Sequence, residues 1–262
     1  MILDKITKSV LKRVEDLKRE IPLNGLIDSA LSLPVSADFP FEKALKKDGL
    51  SFICEIKKAS PSKGVIAPDF PYLKIAGEYA AAGADVLSVL TEPEFFLGSG
   101  EYLREISGAV PLPALRKDFI IDEYQIYEAK TLGASAVLLI CAILDGEKLR
   151  RFLKTAEALG MSALVEAHTE DEIFTALSAD AEIVGVNNRD LKTFEVDLNV
   201  CARLRRLVPR DVLFVAESGI KTRGDVNFLE NIGADAVLIG EGMMTAANKE
   251  EYLAGLKGVK RA

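Results

Sequence analysis

Five charged residues, Glu55, Lys57, Lys117, Glu166 and Glu217, stand at or just past the ends of short apolar runs. Neighbours and partial burial can move the pKa values of lysine and glutamate toward neutrality, which suits them to proton transfer. If the run 50–54 continues as a strand, its period of two puts Ile53, Glu55 and Lys57 on one face. A carboxylate and an ammonium on an interior face are costly unless they pair or meet a ligand. The next residues, Ser60-Pro-Ser-Lys-Gly64, combine hydroxyls, a cation and a flexible glycine, a composition that suits a cluster of anionic oxygens. A solvated polar turn is the plainer alternative for that segment. For the charged set, the alternative is an ion-pair network that merely plugs an interior, and the cost of burying several charges without function weighs against it.

The elements that must position these residues alternate along the chain. Apolar, β-rich runs occupy 52–56, 86–90, 112–115, 136–140, 162–165, 183–186, 212–215 and 236–239. Amphipathic segments that read as helices lie at 72–82, 100–107, 123–132, 146–158, 170–176, 199–207 and 223–231, with a last one at 250–256. Gly83-Ala84, Gly133-Ala134 and Gly233-Ala234 supply helix-terminating glycines ahead of the next strand. Eight such units in 262 residues predict an α/β protein, a (β/α)8 TIM barrel. A doubly wound open sheet is the structural alternative. Before the first strand, Ile6, Val10, Leu11, Val14 and Leu17 fall at helical spacing, and 24–33 and 41–46 read as two short helices. The expected organisation is one domain overall: residues 1–50 as an N-terminal helical extension packed on the barrel, and 51–262 as the barrel.

In such barrels, ligands sit at the carboxyl ends of the strands. Seven of the eight runs here end in charged or polar groups: Glu55 and Lys57, Thr91-Glu92, Arg116-Lys117-Asp118, Glu166, Asn187-Asn188-Arg189, Glu217-Ser218-Gly219 and Gly240-Glu241-Gly242. The fourth passes through Cys141 before it reaches Asp145. Glycines after strands seven and eight let backbone N–H groups approach an anion, so Gly219 and Gly240 predict a phosphate corner there. Gly242, next to Gly240 and Glu241, would leave that turn looser.

Composition narrows the function classes. A net charge of -7 argues against a nucleic-acid surface. No apolar run approaches the roughly 20 residues of a membrane span. The start, Met1-Ile-Leu-Asp-Lys5, lacks the apolar core of a signal peptide. The three cysteines have no metal-like spacing, Cys54 and Cys141 lie in apolar runs, and a reducing cytoplasm is expected. With His168 as the single histidine, a multi-imidazole zinc site is impossible; the residue reads as a loop position before a helix, and no metal is expected. Neither glycine-rich nucleotide fingerprint occurs, so the chemistry is expected to be cofactor-free.

The segments Glu55-Ile-Lys-Lys-Ala-Ser-Pro-Ser-Lys-Gly64, Leu115-Arg-Lys-Asp-Phe-Ile120, Leu164-Val-Glu-Ala-His168, Val186-Asn-Asn-Arg-Asp-Leu191 and Ala216-Glu-Ser-Gly-Ile220 together resemble the indole-3-glycerol phosphate synthase family. The resemblance runs from the amino-terminal helix through Gly242. It implies ring closure of 1-(2-carboxyphenylamino)-1-deoxyribulose 5-phosphate, with loss of carbon dioxide and water, in tryptophan biosynthesis. By that resemblance Lys117 is the general acid of ring closure and Glu166 the general base. Lys57 holds the substrate carboxylate and is also a candidate acid for dehydration. Glu55, Asn187 and Glu217 position these groups, while Arg189 and Ser218 contact substrate. Ser60, Gly219, Gly240 and the backbone of Glu241 match phosphate positions. Phe96, Phe119 and Leu138 either line an apolar slot for the anthranilate ring or are simply core. The expected partner is a phosphorylated small molecule, with no nucleic acid and no membrane, and the expected state is a monomer or weak homodimer. Another phosphate-binding barrel, either a phosphoribosyl isomerase or a Schiff-base aldolase using Lys117, and a non-catalytic sugar-phosphate-binding protein are the competing readings.

Overall fold

The architecture comes from a computed structural model that describes residues 2–190 and 193–259. Leu191, the last residue of the Val186-to-Leu191 segment, lies outside the described residues, as do both outer ends of the expected domain spans. Among the described residues eight parallel strands close into a barrel. They are β1 (Ser51–Ile56), β2 (Val86–Leu90), β3 (Ala114–Lys117), β4 (Ala136–Ile140), β5 (Ser162–Ala167), β6 (Ile183–Asn187), β7 (Leu213–Glu217) and β8 (Ala236–Ile239). β8 pairs back onto β1 with Ser51 opposite Ala236, so the open-sheet alternative is excluded. Helices connect successive strands, and Gly83, Gly133 and Gly233 close three of them with φ of 89°, 81° and 82°.

Several strand ends depart from the expected runs, four of them for the following physical reasons. β3 begins at Ala114 and not at 112, because Pro113 has no N–H for the ladder and only its carbonyl takes part, accepting from Leu87 N at 3.0 Å. β5, β6 and β7 continue past the last apolar residue to Ala167, Asn187 and Glu217. Backbone pairing persists there, with Ile140 opposite Glu166 and Asn187 opposite Glu217, while the polar side chains turn to the barrel mouth. The segment 60–64, expected as a loop, carries a small antiparallel hairpin in which Ala59–Ser60 pairs with Gly64–Val65. The segment 199–207, expected as one helix, is helical over Asn199–Leu204 and tightens to a 3-10 turn at Arg205–Leu207.

Strand alternation divides the core in two. Ile53, Val86, Leu115, Ala136, Leu138, Ile140, Leu164, Ile183, Val215, Ala236 and Leu238 fill the barrel interior, while Cys54, Ile56, Val89, Val137, Val165, Phe214 and Val237 face the helices. The floor of the interior is closed by Phe41 and Leu45 from the third helix of the chain. Each contributes roughly 1.5–3 kcal/mol by its burial.

Three helices precede the first strand: α1 (Ile2–Glu20), α2 (Leu23–Leu31) and α3 (Pro40–Leu45). α1 buries Ile6, Val10 and Val14 against Leu26, Ile121 and Tyr124; Leu11 falls off this face and is half exposed. Polar ties fix the same helix to the mouth. Arg13 meets both oxygens of the buried Asp118 at 2.8 and 2.9 Å, Lys18 meets Asp122 at 2.7 Å, and Ser9 donates to Glu94. Burial opposes the ionised form of Asp118, but Arg13 and Arg116 overcome it and hold the carboxyl below its usual range. Arg13→Ala is expected to lower the unfolding free energy by about 1.5–3 kcal/mol, the range for a hydrogen bond to a charged group. Urea unfolding checks this, and an unchanged midpoint would mean that the Arg13–Asp118 pair adds nothing to the hold on α1.

Candidate active site

Five inward columns of the barrel lead to polar or glycine positions at the mouth. Ile53 is followed by Glu55 and Lys57, Leu115 by Lys117, and Leu164 by Glu166; Val215 is followed by Glu217, and Leu238 by Gly240. These residues line one cavity of roughly 980 Å³, within the usual range for a small-molecule site. Ser60, Phe96, Phe119, Leu138, Asn187, Arg189, Ser218, Gly219 and Glu241 line it as well, so the structure brings every site residue expected from the sequence to this cavity.

Lys117 is the centre of its polar wall. Its ammonium lies 2.6 Å from Glu217 Oε2 and 3.1 Å from Glu166 Oε2. Burial opposes the charged amine, yet the carboxylates of Glu217, Glu166 and Glu55 outweigh it and raise the lysine pKa. Burial also pushes Glu217 up, with Glu166 and Glu55 adding to it against the pull of Lys117, so that Glu217 titrates at about 7. For Glu166, burial is outweighed by Lys117 and His168, and its pKa is lowered. Asn187 Nδ2 stands 3.4 Å from Glu166 Oε1 and its Oδ1 accepts from Arg189 N at 3.0 Å. A second pair, Lys57 with Glu55 at 2.6 Å, lies on the β1 side.

Two glycines make room for these charges. A side chain at Gly240 would meet Glu55 Oε1 at 2.5 Å and Lys57 Nζ at 3.1 Å, and one at Gly185 would meet Glu217 Oε1 at 2.5 Å. Gly185 was not among the residues singled out from the sequence; the available signal was a glycine inside an otherwise apolar strand.

The phosphate corner combines a left-handed turn at Ser218 and Gly219, φ 66° and 86°, with the short helix Glu241–Thr245 that begins at Gly240. The first N–H groups of a helix have no intrahelical acceptor and can face an anion. At Gly242 a side chain would meet the Tyr252 hydroxyl, so this glycine makes room for Tyr252 beside the turn. From the β1 side Lys63 reaches Glu241 at 3.1 Å, which brings the hairpin over the corner. The apolar wall pairs Phe96 and Phe119, 6.0 Å apart, above Leu138. Ile2, Leu3 and Ile6 of α1 complete the lining, so the extension faces the cavity as well as covering apolar surface.

Some rim charges expected near the ligand are scaffolding instead. Glu92 is buried and turns back to accept the N–H groups of Glu94, Phe95 and Phe96. Arg116 alternates with Lys117 and points outward, where it meets Glu128 at 2.6 Å, while Asp118, at the cavity edge, has its carboxylate taken by Arg13, Arg116 and Thr91. Asn188, also outward, donates to the carbonyls of Glu217 and Ser218 and fixes the turn of the phosphate corner. All three thiols are buried, and burial pushes each up to about 12, so none is a ready nucleophile.

Similarity to known proteins agrees with this geometry. The profile of the family described as indole-3-glycerol phosphate synthase matches residues 3–256. The chain belongs to this family. An indole-3-glycerol phosphate synthase of Ruminiclostridium cellulolyticum is 56% identical over 98% of this chain and 99% of its own length. One from Endomicrobium trichonymphae is 56% identical over 98% of this chain and 100% of its own. Among solved structures, a 3-hexulose-6-phosphate synthase superposes with a TM-score of 0.63 at 16% identity, over 80% of this chain and all of that one. Another, from Salmonella typhimurium, gives a TM-score of 0.66 at 13% identity, over 80% of this chain and 97% of that one. Likeness at that level carries the fold alone.

The titration of Glu217 makes a testable link between pH and activity. Above about 7 Glu217 is ionised and holds Lys117 by charge; as the pH falls through about 7 it takes up a proton and that hold weakens. The expected result is a kcat/KM that declines as the pH is lowered through this region. Glu217→Gln should flatten that limb and lower the plateau, and an unaltered limb in the variant would assign the titration to another group.

Proposed function

We propose that the residues around this cavity carry out the ring closure, decarboxylation and dehydration that convert 1-(2-carboxyphenylamino)-1-deoxyribulose 5-phosphate to indole-3-glycerol phosphate. The chain is a carbon–carbon lyase of that family, acting in tryptophan biosynthesis. The observation that carries the residue assignment is the placement of Lys117 Nζ between Glu217 and Glu166, at the junction of an aromatic wall and a phosphate corner.

In this reading the phosphate lies at Ser60, Gly219, Gly240 and the N–H of Glu241, and the anthranilate ring lies against Phe96, Phe119 and Leu138. Lys57 holds the substrate carboxylate, with Glu55 fixing its ammonium, and Arg189 and Ser218 add substrate contacts. The ribulose carbonyl then faces Lys117, which gives its proton to the oxygen as the ring carbon attacks. Loss of carbon dioxide returns the bonding pair to the ring. Departure of the new hydroxyl as water needs an acid, supplied by Lys117 or Lys57, and Glu166 takes the last proton. Glu217, 2.6 Å from Lys117, holds the ammonium in position by its charge. A Schiff-base aldolase would need Lys117 as a free amine, whereas its two carboxylate neighbours hold it as ammonium. The proposal takes the enzyme to be cytoplasmic and monomeric or weakly dimeric, with residues 1–50 and 51–262 forming one domain.

Incubation with the carboxyphenylamino-deoxyribulose phosphate and no added cofactor should produce indole fluorescence, and a protein that binds this substrate without releasing carbon dioxide would overturn the reading. Lys117→Ala is expected to lower kcat by about 10²–10⁴ in a protein that still folds, as removal of a general acid does. Near-normal turnover in that folded variant would remove Lys117 as the acid. Arg189→Ala should raise KM more than it lowers kcat, and an unchanged KM would contradict its binding role.

A further inference from the structure

His168, the single histidine of the chain, takes no part in the chemistry above, yet it stands against the base. β5 ends at Ala167, and the chain passes through His168 and Thr169 into the helix Glu170–Ser178. The imidazole is bracketed by two carboxylates. Its Nε2 lies 3.5 Å from Glu166 Oε1 and its Nδ1 lies 3.4 Å from Glu172 Oε2. Nε2 is buried and makes no hydrogen bond; the Glu166 carboxylate, 3.5 Å away, is the charged group it stands against. Glu172 is itself fixed: its Oε2 accepts the backbone N–H of His168 at 2.6 Å, and its own N–H goes to the capping hydroxyl of Thr169 at 3.2 Å. The ring is therefore tied to the helix N-terminus at one end and aimed at Glu166 at the other.

We propose that His168 is a positioning residue for the reaction: anchored by Glu172, its ring clamps Oε1 of Glu166 and leaves Oε2 facing Lys117 and the cavity. The proposal rests on the reading of Glu166 as the base. Burial disfavours the charged ring, but Glu172 and Glu166 outweigh it and raise the His168 pKa, which favours the protonated ring. The groups facing Glu166 and His168 from the packed elements are Lys117 of β3, Asn187 of β6, Glu217 of β7, Glu172 of the following helix and Cys141 of the 3-10 turn Cys141–Ile143. Cys141, pushed up to about 12 by burial, stays neutral. Lys117 and Asn187 already occupy Glu166, so His168 adds a third hold, on the oxygen that Lys117 does not touch.

The test is His168→Gln, whose amide keeps a donor near Nε2 but removes the charge. In wild-type and variant protein, the Glu166 side-chain carboxyl is titrated by ¹³C NMR, and kcat and KM are measured separately. The expected result is a Glu166 midpoint raised by about one unit. A kcat lowered roughly tenfold, from a displaced carboxylate, is expected with KM little changed. Glu172→Gln, read by the same titration, should move Glu166 in the same direction, and it serves as the test if His168→Gln fails to fold. A wild-type Glu166 midpoint in either folded variant overturns the proposal. A shifted midpoint with unchanged kcat overturns the positioning role as well, whereas retained turnover in Glu166→Gln would separately remove Glu166 as the base.

Discussion

The ammonium of Lys117, held between Glu217 and Glu166 at the mouth of the barrel, is the interaction on which the rest of the structure depends. Three buried charges in one cluster are tolerable only because each is another's partner; removing one leaves an uncompensated charge, at a cost of about 3–5 kcal/mol. The barrel meets this constraint with geometry. Inward columns that are apolar through Leu115, Leu164 and Val215 change to Lys117, Glu166 and Glu217 in their last step, so that all three reach the same height. Gly185 and Gly240 then remove the side chains that would stand where the carboxylates are.

Neighbouring residues on and just past the same strands hold this layer in place. Asp118 follows Lys117 and takes Arg13 from α1, Arg116 from its own strand, the Thr91 hydroxyl and the N–H of Phe119. The amino-terminal helix is thereby connected to the residue beside the acid and to the start of the aromatic wall. Asn188 does the corresponding work behind Asn187, where it fixes the turn after Glu217. A site built this way keeps its side chains in place because their neighbours are locked, as precise catalysis requires.

Much of this was legible in the sequence, for reasons that particular residues make plain. Apolar runs separated by amphipathic segments located all eight strands, since a buried parallel strand is a short continuous apolar stretch. Their carboxyl ends were harder to place, because Glu166, Asn187 and Glu217 read as the polar residues that follow a strand when they are its last inward positions. Direction was the second difficulty. Lys117 and its neighbour Arg116 look alike as charges, and only the register of β3 sends one into the cavity and the other behind it. His168 was recognised as a loop residue, but its distance to Glu166 is a property of the turn into the next helix, which no local pattern encodes.

The central claim is that Lys117 works as an ammonium, charged because Glu217 and Glu166 flank it. A ¹⁵N NMR titration of the Lys117 side chain measures this most directly. The account predicts an ammonium signal through neutral pH in the free enzyme, and a lower titration midpoint in Glu217→Gln. A neutral Lys117 amine at pH 7 in the native enzyme would contradict it.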